Sequence, residues 1–133
     1  MSDYTLAAEV PMDFPSTVHL VREALVEQGF GVITEIDMSA TLKAKLDIDL
    51  PPQLILGACR PQLAHQALLA DPSIAAMLPC NVVVRSIDSA STAVEVLDPD
   101  LMARLTDAPA VHAVAQDAGD RLRIMLATIS KED

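Results

Sequence analysis

Aromatic side chains are almost missing from this chain: one Tyr (Tyr4), two Phe (Phe14 and Phe30) and no Trp. Proteins that hold single-stranded nucleic acid stack its bases on such rings, so that class is set aside. Basic residues are scarce as well. Nine Lys and Arg stand against nineteen Asp and Glu, for a formal net charge of −10. Phosphate-binding surfaces need clustered cations, so neither nucleic acid nor an anionic membrane is an expected partner. No apolar run approaches the roughly 20 residues of a membrane span. The opening segment MSDYTLAAEV has no basic stretch followed by an apolar one, and the expected location is cytoplasmic. Two cysteines are too few for a disulfide framework, and a reducing cytosol would keep both as thiols unless they are redox-active.

What remains is aliphatic. Of 133 residues, 51% are hydrophobic, enough for one domain with a real core. Tyr4 to Val10 alternates like a strand, with Tyr4, Leu6, Ala8 and Val10 on one face. Asp13 then precedes Phe14-Pro15, a helix start with Pro in its first turn. Phe14, Val18, Val21 and Leu25 follow at helical spacing, and Gly29 ends that helix. Phe30 to Ile36 alternates again, placing Phe30, Val32, Thr34 and Ile36 on one face. After a turn at Asp37-Met38-Ser39, a short helix spans Ala40 to Leu46. Pro51-Pro52 bars its continuation.

Leu54 to Cys59 is apolar on both faces and is placed centrally in a sheet. Pro61 opens a helix to Ala70, and Ser73 caps one more helical turn to Leu78. Cys80 to Ile87 is rich in β-branched residues, and Thr92 to Leu97 returns as its hairpin partner. A short helix over Leu101 to Leu105 comes next. The last element is the clearest: Val111, Val114, Ala118, Leu122, Met125 and Ile129 form one apolar stripe along a long helix. This order predicts an α+β fold, a curved and mostly antiparallel sheet of about five strands with helices packed on one face. No glycine-rich turn follows a strand, so a dinucleotide or phosphate loop is not expected.

The organising stretch is QLILGACRPQLAHQALLADPSIAAMLPCNVVV, residues 53–84. Both cysteines lie in it where a strand meets a helix or loop. Cys59 and Cys80 at neighbouring strand edges would share a pocket, where they could exchange with a disulfide, bind a soft metal or supply a nucleophile. Arg60 and the start of the helix after it favour a thiolate, and Asn81 completes the group. The plain alternative is that each cysteine packs as a small hydrophobe. Cys59, Cys80 and His65 are a candidate metal set, although their spacing is not that of a known finger and structural zinc takes four ligands. Glu35 and Lys43, with Asp37 and Lys45, supply the carboxylate–lysine minimum for acid–base work. The alternative there is a helix cap and a solvated charged face. His19 and His112 have no partner at ligand spacing and are given no role.

One long pattern resembles a known family. It runs Gly29-Phe30-Gly31-Val32, Glu35-Ile36-Asp37, Thr41-Leu42-Lys43 with Lys45, and Pro51-Pro52. It continues through Ile55-Leu56-Gly57-Ala58-Cys59, Pro61, Ala64, Leu68, Pro72 and Leu78-Pro79-Cys80-Asn81-Val82-Val83-Val84 to Asp98-Pro99. These residues are similar to the family called domain of unknown function 302. The resemblance implies a small α+β domain with a TATA-binding-protein-like sheet, often homodimeric, and no assigned activity or cofactor. It carries no DNA-binding function onto an acidic surface almost free of aromatics. Arg60 departs from the pattern, which has a small polar residue such as Asn there. Three functions are therefore expected to compete. One is a small ligand-binding or thiol redox or metal-sensing module with its site near Cys59 and Cys80. The second is a cysteine-dependent enzyme acting on a small electrophilic or sulfur-containing substrate. The third is a homodimeric interaction domain with inert thiols.

Overall fold

The computed structural model describes residues 2–130. Five strands build one sheet: β1 (Thr5–Val10), β2 (Gly31–Asp37), β3 (Gln53–Cys59), β4 (Cys80–Asp88) and β5 (Ser91–Leu97). Their spatial order is β1-β5-β4-β3-β2, and every neighbouring pair is antiparallel. The helices are α1 (Phe14–Glu27), α2 (Met38–Leu46), α3 (Pro61–Ala70), α4 (Asp100–Leu105) and α5 (Pro109–Ile129). A 3-10 segment, Pro72–Met77, follows α3. The α+β architecture anticipated from the element order is the observed one.

The helix boundaries follow local chemistry. The Asp13 carboxylate accepts the Ser16 amide at 2.9 Å and caps α1. The Ser16 side chain, and after it this amide bond, hold its carboxyl below the ordinary range. Gly29 ends the turn after α1 with φ of +82°, a left-handed conformation that glycine adopts without strain. Asp37 caps α2 through Ala40, so that helix begins at Met38 rather than Ala40. One expected cap is corrected: Asp71, not Ser73, caps the 3-10 segment by accepting the Ser73 amide at 3.1 Å.

The stripe on α5 is buried along its whole length, against two different partners. Its C-terminal half (Leu122, Met125, Leu126 and Ile129) joins α1 and the inward residues of the sheet, Leu54, Leu56, Val82, Val84, Val94 and Val96, in the main core. Its N-terminal half (Val111, Val114, Ala115 and Ala118) packs with Leu63, Ala67, Ile74 and Met102 in a second core under α3, the 3-10 segment and α4.

Strand β2 departs from simple alternation. Its register against β3 shifts between Val32 and Thr34, leaving Ile33 as a bulge. Val32 pairs with Ala58, but Glu35 pairs with Leu56 and Ile36 with Ile55. The extra residue therefore reverses the phase. Glu35 shares the face of buried Leu56, and Thr34 and Ile36 lie on the open face. The expected single face of Phe30, Val32, Thr34 and Ile36 is broken at this point. Tyr4 likewise does not join the buried face of β1; it is 56% exposed.

Candidate functional site

The ladder between β3 and β4 pairs Ala58 with Cys80 and Gly57 with Asn81. Cys59 is thus one residue out of step with Cys80 on the neighbouring strand. Direct opposites in an antiparallel ladder are about 4.5–5.5 Å apart between Cα atoms, but successive strand residues point to opposite faces. Cys59, next to inward Ala58, therefore starts from the face opposite to Cys80, and a disulfide between them needs the chain to turn at Cys59, the last residue of β3. Both cysteines are free thiols and half-buried. They line one cavity of about 30 Å³, with Ala58, Arg60, Leu63, Leu78 and Met102 among its other walls. That volume holds a water molecule or a small diatomic group, not an organic ligand.

The environment of Cys80 is set by its strand. It shares the inward face with Val82 and Val84, beneath the helices. Burial, and after it the charge that Cys59 would carry, pushes the Cys80 thiol up from 9.0 to about 11. At neutral pH Cys80 is therefore an uncharged thiol.

Arg60 is the capping position of α3 but makes no side-chain cap bond. Its side chain runs instead over Gly29, where a Cβ would stand 3.0 Å from the Arg60 Nε. This close approach, together with the positive φ, explains the glycine. The Arg60 Nε is buried and has no hydrogen-bond partner among the described residues. A buried guanidinium nitrogen without an acceptor is costly, and this one belongs to a wall of the thiol cavity.

Cys80 has a second neighbour. On its other side lies a cleft of about 270 Å³, whose walls include Met77, Leu78, Asn81, Asp98 and Met102. The hairpin creates it. Val82 pairs with Val96, so the end of β5 runs alongside the start of β4 and delivers Leu97, Asp98 and Pro99 beside Asn81. The Leu78-Pro79 peptide is cis, and Pro79 packs over Gly57. A Cβ on Gly57 would collide with the Thr34 hydroxyl and come within 2.8 Å of Pro79.

Of the anticipated site residues, Cys59, Arg60, Cys80 and Asn81 gather at this end of the sheet. Glu35 and Lys43 do not. Asp37 pairs with Leu54, at the opposite end of β3 from Cys59, and α2 starts there. Glu35 is tied to Arg22 of α1 at 2.8 Å. Lys43 is held by Asp47 at 2.8 Å and by Asp49 at 3.1 Å, bonds that raise its pKa. Asp37 is a cap whose carboxyl is lowered by the Ala40 amide and then by the Ser39 hydroxyl. These groups are a solvated face with partners of their own, not an acid–base pair.

The metal set is not assembled either. Among the described residues no three His, Cys, Asp or Glu side chains come together as a possible ion site. His65 lies two positions beyond Leu63 on α3, nearly half a turn round the helix. Leu63 is buried, so His65 faces out and is exposed. Asp98, Met77 and Met102, which wall the cleft, were not singled out from the sequence. The usable signal was the antiparallel hairpin itself, which must bring the residues after Leu97 next to Asn81.

Fold and site together define a small α+β domain with a paired-thiol cavity and an adjoining cleft at one end of an antiparallel sheet. The family model for the domain of unknown function DUF302 matches residues 6–129, and the chain belongs to that family. It is also similar to the crystal structure of an uncharacterized conserved protein DUF302 from Bacillus stearothermophilus. The two share 26% identity and a TM-score of 0.86, over 96% of this chain and 99% of that one. No curated protein matches it. Among the described residues no helix is long and apolar enough to cross a membrane.

Proposed function

We propose that the protein is a thiol redox module in which Cys59 and Cys80 interconvert between two thiols and one disulfide. The observation that carries this is the sharing of one small cavity by both cysteines and Arg60. The oxidant is a small-molecule disulfide. The Cys59 thiolate attacks one of its sulfurs, forming a mixed disulfide and releasing one small thiolate. Cys80 then loses its proton to solvent and attacks the Cys59 sulfur. The S–S bond between the two cysteines forms as the second small thiolate leaves. The protein loses two electrons and two protons, and the small disulfide is reduced to two thiols.

Cys80 is suited to the second step only. Its uncharged state at neutral pH makes it a poor first nucleophile, and the mixed disulfide removes the Cys59 charge that helps to hold its pKa up. The same uncharged state argues against Cys80 as the nucleophile of a hydrolytic enzyme.

The test is exposure of reduced protein to oxidised glutathione, followed by mass spectrometry. An intramolecular disulfide, lighter than reduced protein by two hydrogens, is expected, closing faster as pH rises toward 11. Mixed disulfides that never close, or thiols that react only in denaturant, would overturn the proposal.

A homodimer has a surface suited to it. The face of the sheet away from α1 and α5 carries Ile36, Ile55 and Val83 in register, with Leu97 two residues further along β5, and Ile36 is 46% exposed. Light scattering on wild type and on Ile36→Glu tests this. A monomeric wild type at micromolar concentration rules the dimer out.

A further inference from the structure

We propose that the cleft beside Cys80 is a binding site for a small organic ammonium ion with an apolar body. Its volume, about 270 Å³, is close to the lower bound of small-ligand sites and far larger than the thiol cavity. Its walls are mainly apolar, with Met77, Leu78 and Met102 contributing side chains that adapt to an uneven ligand. Among the described residues Asp98 is the one charged residue lining it, so the cleft offers a negative charge and no positive one.

The carboxylate of Asp98 is poorly neutralised from within the protein. Its side chain keeps only 20% of its surface open. Oδ1 accepts the Asp100 amide at 3.0 Å. The nearest cation, Arg123, lies 3.8 Å from Asp98 and is divided among Asp98, Asp100 at 3.8 Å and Asp120 at 3.9 Å. A half-buried carboxylate whose neighbouring cation, Arg123, is shared with two other carboxylates, at the edge of an apolar cleft, is complementary to an ammonium group whose hydrocarbon part lies against the methionines. An anionic ligand would meet Asp98 with no cation among the described residues lining the cleft and is disfavoured on the same ground. The net charge of −10 also favours the approach of cations. This site shares a wall with the redox pair through Cys80 but needs no oxidation.

Three probes of nearly one shape separate the charge from the apolar body: phenethylamine, phenethyl alcohol and hydrocinnamate. Each is titrated into reduced protein at neutral pH and low salt and followed by the amide signals of Asn81 and Met102. The amine is expected to bind about tenfold more tightly than the alcohol, the scale of one charge-assisted hydrogen bond, and hydrocinnamate most weakly. Asp98→Asn keeps the acceptor for the Asp100 amide and should bring amine and alcohol to equal affinity. Cys59→Ser, which abolishes the disulfide, should leave amine binding unchanged. Equal binding of amine and hydrocinnamate, an amine preference that survives Asp98→Asn, or no response to any probe would overturn the site.

Discussion

The two halves of α5 face different kinds of interior. The C-terminal half closes the main core, where Leu and Val from four strands and α1 meet. The N-terminal half closes the second core, where Ala67, Ala115 and Ala118 take many of the places and both cavities adjoin. Large branched side chains fill space to the density of a crystal; alanines on packed helices leave it where backbones diverge. The difference explains why the candidate site lies under α3 and α4 and not under α1. The fold is held at one end of the helix, and room for chemistry is left at the other.

The comparison is broken most directly by cutting a methylene-rich side chain out of each core. Leu56→Ala, at a fully buried position of the main core, should cost about 2–5 kcal/mol in denaturant unfolding. Leu63→Ala in the second core, beside a cavity already present, should fall at the low end of that range or below it. Equal losses would mean that the two interiors are packed alike. Gly57→Ala comes next, at about 1–3 kcal/mol. The new methyl meets both Pro79 and Thr34, and Thr34→Gly should recover part of the loss.

A smaller effect depends on pH. The Cys80 thiol has a pKa of about 11 in the folded chain, against an ordinary 9.0. The unfolded chain therefore gives up this proton first. Stability from this source is complete below about pH 9 and is lost as pH rises toward 11. Cys80→Ala should flatten that decline in unfolding measured across the alkaline range. A slope that stays the same in the variant would assign it elsewhere. The smallest change is expected at Glu35→Gln. Its pair with Arg22 is exposed on both sides, and thermal unfolding should register less than about 1 kcal/mol.

Much of the fold was legible because its signals are local. The apolar stripe on α5, the β-branched run of β4 and the prolines at the starts of α1 and α3 each act within a few residues. The same holds for the gathering of Cys59, Arg60, Cys80 and Asn81, since two junctions on adjacent strands must lie close together. The pairing of Glu35 with Arg22 was hidden by the bulge at Ile33. One unpaired residue reverses the strand's faces, and nothing in the alternation of residue types announces it. His65 was offered as a ligand from its distance along the chain, whereas its angle round α3 turns it to solvent.

By itself, then, the sequence determined the element order, the aliphatic core, the acidic surface and the two thiols at strand ends. These follow from periodicity, composition and turn chemistry, which act over short distances. Only the tertiary structure decided that Cys80 is half-buried and uncharged and that the Arg60 Nε lacks a partner among the described residues. It alone brought Asp98 beside Asn81 to line a cleft. Burial, pairing and enclosed space are properties of groups distant in the chain, and they exist only once the sheet and its helices have packed.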